Sequence, residues 1–301
     1  MQGSVKTNNS ENTRRHIQKV AWIGTGVMGA PMARHLAEAG YQVSVFNRSP
    51  QKAEALSDCA RVCQTIADAV CEADAVFTIV GFETDVASVY LGADGILTHA
   101  PKGALLCDMT TSSPDLARRI AKEAQALGLH ALDAPVTGGD LGAKNASLSI
   151  MVGGEKEDYD LLLPLFQKLG KSVCYMGASG SGQDMKLANQ LAIAGALAGI
   201  CEALSYAKSK GLDLMSVHQV INHGSAHSWQ GEHNGAKMIE DDMQPGFFLK
   251  HFIKDLRLGQ ENAGTLQLPI GQKVLEMCQA LAEKGFGDSG TQVLFKAYDE
   301  E

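Results

Sequence analysis

Lys186 and Asn189 stand three apart in the run Gly180-Ser181-Gly182-Gln183-Asp184-Met185-Lys186-Leu187-Ala188-Asn189-Gln190. On a helix that spacing puts both on one face. The same face carries Leu187, Gln190 and Ile193, so the lysine is expected to be largely buried. Desolvation lowers the pKa of an ammonium, and a nearby positive charge would lower it further, which equips such a lysine to move a proton. The alternative is a lysine that snorkels to solvent.

A second signal is Gly24-Thr25-Gly26-Val27-Met28-Gly29, which follows the apolar run Val20-Ala21-Trp22-Ile23 and precedes a helical pattern in Met32, Ala33, Leu36 and Ala37. In a strand–turn–helix context the first glycine permits the tight turn and the second lets a pyrophosphate approach the backbone. The third allows close packing of helix on strand. The helix N-terminus then offers free N–H groups to the pyrophosphate. Cofactor choice is read about twenty residues on, where an NAD site normally has Asp or Glu. Here Asn47-Arg48-Ser49 follows Phe46 with no carboxylate. A guanidinium fork at Arg48, helped by Asn47 and Ser49, suits a 2′-phosphate, so NADP is expected, with NAD as the alternative.

A third signal is Asp133-Ala134-Pro135-Val136-Thr137-Gly138-Gly139, which opens a glycine-rich loop running through Gly142. A hydroxyl followed by two bare backbone N–H groups can clamp a small carboxylate, and a wide structural turn is the other reading. A fourth is Lys254-Asp255 within His251-Phe252-Ile253-Lys254-Asp255-Leu256, either an interdomain ion pair or a lysine reaching cofactor or substrate. His223 and His227 have the i,i+4 spacing of a metal pair, but no adjacent Glu or Cys completes a site and Gly224 interrupts the helix. No metal is expected.

Certain elements must carry these residues. Strand-like runs occur at 20–23, 42–46, 75–80, 104–108, 130–133, 148–152 and 172–176, with helical stretches such as 114–127 and 155–170 between most of them. That alternation implies a doubly wound α/β unit with a parallel sheet. After Gly177 the strands stop. A long helix over 181–209, ended by Gly211, leads into helical segments near 213–222, 228–240, 247–264, 269–284 and 289–299. The division is thus a polar tail at 1–17, a Rossmann-type NAD(P)-binding domain at 18–178 and an all-α substrate and oligomerisation domain at 179–301.

Composition closes off several classes. In 301 residues, 45% are hydrophobic and 20% charged, enough for a core and too apolar for a chain disordered throughout. With 26 Lys+Arg against 34 Asp+Glu the net charge is −8, which repels nucleic acid and anionic lipid. The seven cysteines form no paired CxxC pattern and sit in apolar runs, as expected of reduced thiols in a cytoplasmic protein. The polar start lacks the apolar stretch of a signal peptide. The most apolar run, Leu191 to Ile200, reads as a buried helix shorter than a membrane span.

Taken together, GTGVMGAPMARHL, DAPVTGGDLGA, IMVGG, GSGQDMKLANQ and FIKDLRL resemble, in order and spacing from about Lys19 to the C-terminus, the β-hydroxyacid dehydrogenase family. This group includes 3-hydroxyisobutyrate dehydrogenase and the tartronate and succinic semialdehyde reductases. The resemblance implies that Gly24 to Gly29 holds the cofactor diphosphate and that Thr111 contacts the nicotinamide side. It places Val80 and Gly81 in the cofactor-contacting loop, where the family commonly has Leu-Pro. Thr137-Gly138-Gly139 matches a Ser-Gly-Gly carboxylate site, with an added methyl that crowds the pocket. Lys186 matches the catalytic lysine, Asn189 its substrate-orienting partner and Lys254 a cofactor-proximal lysine. Asn47-Arg48-Ser49 resembles the NADP-preferring branch. The implied activity interconverts a short β-hydroxy acid, 3-hydroxyisobutyrate-like, and its semialdehyde. Alternatives are NAD dependence, another carbonyl substrate such as succinic or tartronate semialdehyde or an imine, or a non-catalytic cofactor-binding module. The apolar circumference of the long helix, with Leu187, Leu191, Ile193, Leu197, Ile200 and Leu204, calls for burial on all sides. That implies a homodimer or homotetramer assembled through the helical half.

Overall fold

The computed structural model describes residues 16–298. Nearly all of the polar tail therefore lies outside the described residues. At its inner end Ile17 is buried in the first core cluster, so the packed unit begins slightly before 18.

Among the described residues, nine strands form one sheet: β1 (Lys19–Ile23), β2 (Gln42–Phe46), β3 (Arg61–Val62), β4 (Ala75–Thr78), β5 (Leu105–Asp108), β6 (His130–Asp133), β7 (Val136–Thr137), β8 (Leu148–Gly153) and β9 (Gly170–Gly177). The order is β3-β2-β1-β4-β5-β6-β8-β7, with β9 also paired to β8. From β3 to β6 all pairings are parallel, whereas β8 runs antiparallel to β6 and β7. The all-parallel sheet expected from the alternation is thus a mostly parallel one. The short link from β7 through the Gly139–Lys144 helix returns the chain on the same edge without a crossover. β3 and β7, two residues each, are too short to leave a periodic signal, and β4 ends at Thr78 rather than at Val80.

β1, β4 and β5 are buried on both faces, as central parallel strands require. Two apolar clusters sandwich the sheet. One is centred on Trp22, Phe77 and Phe166, with Trp22 stacked on Phe77 at 5.5 Å; the other includes Ile23, Val76, Tyr90 and Leu106. Reversal of strand order between β2-β1 and β4-β5 opens a crevice at the carboxyl ends of β1 and β4, the point where such sheets bind ligands.

The helical half is built on the long helix, Ser181–Ser209, against which pack the helices Leu249–Glu261 and Pro269–Glu283 and the 3-10 turns Thr291–Tyr298. The last segment is 3-10 rather than the expected α-helix, and the 228–240 segment opens with a π-turn at Gln230–Asn234. The long helix buries Ala194, Leu197, Ile200, Cys201 and Leu204 in the third core cluster. By length and composition it is apolar enough to cross a membrane, one 18-residue window averaging a mean hydropathy of 1.5. That corrects the shorter apolar run read from the sequence, because Ala and Gly extend the run beyond its large side chains. Within the fold it is a spine, with buried polar residues Gln183, Lys186 and Gln190 at its start. The expectation of burial all round does not hold within one chain: Leu191 and Ile193 are half-buried and Tyr206 is exposed.

Candidate active site

At the first turn the three glycines differ in what surrounds them. Gly24, at φ +98°, has no room for a side chain: a Cβ would lie 2.1 Å from the Ile79 carbonyl oxygen. A Cβ on Gly29 would lie 1.9 Å from the Gly24 carbonyl oxygen, the oxygen to which the Trp22 indole N–H donates at 3.0 Å. Around Gly26 nothing lies within 4 Å of that position. Two glycines thus close the turn, and the middle one faces open space. Thr25 Oγ1 is buried without a hydrogen-bond partner beside that space. No side chain caps the following helix, Gly29–Glu38, and its first turn has no acidic residue. Free N–H groups, an open backbone cradle and an orphaned hydroxyl fit a dinucleotide diphosphate. Val27 is exposed and Met28 half-buried along the same turn.

Asn47 holds this turn from the end of β2. Its Oδ1 accepts from Thr25 N at 3.0 Å and its Nδ2 donates to the Ser49 carbonyl at 3.0 Å. Arg48 is 88% exposed, with Nη1 3.2 Å from Asp85 Oδ1 at the start of the Glu83–Leu91 helix. Its guanidinium therefore extends over the crevice from the β2 side to the β4 side, and Ser49 is exposed beside it. On the β4 side, Val80 N donates to Thr110 Oγ1 at 3.0 Å, and Gly81 follows before Phe82.

The second centre is the junction of the two halves. Lys186 is 5% exposed and Lys254 is 6% exposed. Lys186 Nζ donates to Gln190 Oε1 at 2.9 Å, and Asn189 Nδ2 donates to the same oxygen at 3.0 Å. Gln190 Nε2 in turn donates to Asp255 Oδ2 at 2.7 Å. Lys254 Nζ forms an ion pair with Asp255 Oδ1 at 3.1 Å, a distance short enough for charge but poorly angled for a hydrogen bond, and it donates to the Thr111 carbonyl. Burial lowers the Lys186 pKa to about 8, partly offset by the Asp255 carboxylate and reinforced by the Lys254 charge. The lysine is therefore dry and close to losing its proton at neutral pH.

Thr137 joins this centre. Asn189 Nδ2 lies 3.5 Å from Thr137 Oγ1, at the outer limit of hydrogen bonding. Gly138 and Gly139 follow at φ +129° and +64°, backbone conformations that glycine adopts without a side-chain penalty. Lys186, Asn189, Thr137, Thr111 and Lys254 thus converge, although they lie in four separate stretches of chain. Gln190 joins them without a role read from sequence, and Asp255 joins them as the ion-pair partner of Lys254, one of the two readings of that pair. The i,i+4 spacing from Lys186 was the available signal for Gln190. His223 and His227 stay apart from this centre: His223 Nδ1 lies 2.7 Å from the Gln219 carbonyl and His227 Nε2 3.3 Å from Glu232 Oε2. Among the described residues no cluster of three His, Cys, Asp or Glu side chains is placed to hold a metal.

This geometry has close counterparts. Residues 19–177 match the model of the NAD binding domain of 6-phosphogluconate dehydrogenase, and residues 180–298 match that of the NAD-binding domain of NADP-dependent 3-hydroxyisobutyrate dehydrogenase. The chain is 43% identical over 285 residues to probable 3-hydroxyisobutyrate dehydrogenase-like 1, mitochondrial, from Arabidopsis thaliana, covering 93% of this chain and 85% of that one. It is 36% identical over 275 residues to 2-hydroxy-3-oxopropionate reductase from Escherichia coli, covering 91% and 94%. Among solved structures, Mycobacterium tuberculosis 3-hydroxyisobutyrate dehydrogenase with L-serine superposes with a TM-score of 0.87 at 28% identity, covering 95% of this chain and 100% of that one. The chain belongs to the β-hydroxyacid dehydrogenase family and is an NAD(P)-dependent oxidoreductase acting on a CH–OH group.

Proposed function

We propose that the protein interconverts a short 3-hydroxy acid, 3-hydroxyisobutyrate-like, and its semialdehyde, with NADP as the preferred cofactor. The observation that carries this reading is Lys186: a lysine 5% exposed, with a pKa lowered to about 8, sharing the Gln190 Oε1 acceptor with Asn189, whose Nδ2 lies 3.5 Å from Thr137 Oγ1. A bound nicotinamide supplies or accepts the hydride. Thr137 Oγ1 and the N–H groups of Gly138 and Gly139 hold the substrate carboxylate, leaving its reacting carbon over the junction. Lys186 Nζ takes the hydroxyl proton in oxidation and returns it in reduction. Asn189 orients the reacting oxygen. Lys254, neutralised by Asp255, holds the Thr111 carbonyl and fixes the loop on the nicotinamide side.

Arg48, standing at the end of β2 where an NAD site normally carries Asp or Glu, supports NADP over NAD. The solved relative with L-serine, itself a 3-hydroxy carboxylate, supports the substrate class. A non-catalytic module has no use for a buried, depressed lysine, and an imine substrate is disfavoured by the same residue. Half-buried Leu191 and Ile193 and exposed Tyr206 on the spine support assembly as a homodimer or homotetramer. Seven cysteines, all free, support a reducing, cytoplasmic setting. The deciding experiment is a panel of semialdehydes and 3-hydroxy acids assayed with NADPH and NADH, beside sedimentation at micromolar concentration. Turnover of 3-hydroxyisobutyrate-like acids, faster with NADP, is expected. Binding of NADPH with no turnover on any member would overturn the activity, and a fully active monomer would overturn the assembly.

A further inference from the structure

The long helix starts without a cap of its own. Its N-cap is Gly180, left-handed at φ 90°, which has no side chain to satisfy the first-turn N–H groups. The acceptor comes instead from the end of β6. Asp133 Oδ1 accepts from Gly180 N at 2.7 Å, and Oδ2 accepts from Gln183 N at 2.8 Å. A Cβ on Gly182 would lie 2.5 Å from the Met151 carbonyl oxygen and 2.6 Å from that of Asp133, so this turn rests directly on β6 and β8.

From that anchored turn the Gln183 side chain, fully buried, reaches the loop after β5. Its Oε1 accepts from Ser112 N at 3.0 Å, and its Nε2 donates to the Thr110 carbonyl at 2.7 Å. Those two groups bracket Thr111, whose own carbonyl takes Lys254. The far side of the loop is held by Thr110 N donating to Asp108 Oδ1 at 3.1 Å. Gln183, Lys186 and Gln190 stand at i, i+3 and i+7, one buried stripe along the helix. The first reaches the loop and the last reaches Asp255, with Lys186 between them. An amide side chain offers, whatever the pH, a donor and an acceptor that together grip two successive peptide groups.

We propose that Gln183 is a positioning residue that fixes the Thr110–Ser112 loop one helical turn from Lys186, and so sets the distance between the nicotinamide side of the site and its proton-transfer group. This rests on the reading of Lys186 as acid–base. Since misplacement by about 1 Å can cost ~10²-fold in rate, the expected effect is on the chemical step rather than on cofactor capture.

The test compares Gln183→Met, Gln183→Glu and Lys186→Met with the full-length enzyme. Gln183→Met should lower kcat by ~10- to 10²-fold and raise the primary isotope effect with deuterated NADPH, while NADPH affinity, set at the glycine turn, holds. Without cofactor, amides around Thr110 to Ser112 should exchange with deuterium faster than in the wild type. Gln183→Glu places a carboxylate against the Thr110 carbonyl; only its protonated form donates there. Its activity relative to wild type should therefore rise as pH falls. Lys186, Lys254, Asp108 and Asp133, the other titrating or charged groups facing the loop, are common to both proteins and cancel in that ratio. An unchanged kcat in Gln183→Met, or a fall matched by lost NADPH binding with an unchanged isotope effect, overturns the proposal. If Gln183→Met does not fold, a flat Gln183→Glu ratio across pH overturns it alone. Full activity in Lys186→Met would instead overturn the acid–base reading and leave the exchange result to judge the loop.

Discussion

On the function proposed above, the glycine turn and the helix junction solve the same problem, holding a reactant still, by opposite means. At the turn, residues 24–29 use mostly backbone shape; the Trp22 and Asn47 side chains hold that backbone, and the Thr25 hydroxyl is left without a partner beside it. At the junction the backbone is ordinary helix and strand end, and polar side chains, buried or half-buried, are drawn from β6, β7, the long helix and the Lys254 helix. A cofactor diphosphate is met by N–H groups that need no tuning, whereas proton transfer needs a group whose pKa is adjusted by its surroundings. The turn should therefore fail sterically, and the junction electrostatically.

The largest expected effect breaks the junction. Lys186→Met should bind NADPH normally and lose turnover by ~10²-fold or more. Steady-state rates beside a fluorescence titration check it, and activity within a few-fold of wild type would remove Lys186 from the chemistry. The pH profile sharpens the same point. With a pKa near 8, neutral Lys186 is the competent base, so oxidation of the hydroxy acid should rise with pH through that value. Reduction needs the ammonium and should fall over the same interval. Profiles in the two directions with the same slope would contradict the assignment.

Smaller effects separate the glycines. Gly29→Ala forces a Cβ onto the Gly24 carbonyl oxygen, and overpacking of this kind costs ~1–3 kcal/mol or more, read as a lowered melting temperature with or without cofactor. Gly26→Ala meets no protein atom, so the melting temperature of the free protein should hold while NADPH affinity drops by ~10-fold, the equivalent of ~1.4 kcal/mol. Equal destabilisation by both substitutions would erase the distinction between closing the turn and cradling the ligand. Smallest is Arg48→Asp, on an exposed side chain where an ion pair contributes ~0–1 kcal/mol. It should flatten or reverse the NADPH-over-NADH preference by a few-fold, measured as a ratio of dissociation constants.

How much of this was legible in the sequence follows the same division. The turn, the helix from Ser181 to Ser209 and most strands were readable because each is specified by neighbours in the chain: glycine spacing, apolar periodicity, a terminating Gly211. Lys186 and Asn189 were readable as a pair on one helical face. The antiparallel return through β7 and β8 was not, because two-residue strands have no period and their direction is decided by the loop between them. Nor were the roles of Asp133, Gln183 and Gln190, the last of which grips the Asp255 already paired with Lys254. Gln190 and Asp255 lie 65 residues apart and Gln183 and Thr110 lie 73 apart, and nothing local in a glutamine announces which distant peptide group it will grip. The 3-10 ending at Thr291–Tyr298 escaped for a related reason: its apolar residues fit a helical period, and over eight residues that period does not separate 3-10 from α winding.

Trp22 gives the glycine turn a further property. The chain has two tryptophans, one in each half. Trp22 is fully buried, stacked on Phe77 and donating its indole N–H to the Gly24 carbonyl, while Trp229 is 54% exposed and stacked on His233 at 4.3 Å. The two should emit differently, the buried indole at shorter wavelength and shielded from iodide, the exposed one at longer wavelength and open to quenching. A reduced nicotinamide cofactor absorbs where indoles emit, so energy transfer from Trp22 should report occupancy of the turn beside it. Quenching of Trp229 should report the state of the helical half. The native protein thus carries two optical channels, one for each half, readable without any label.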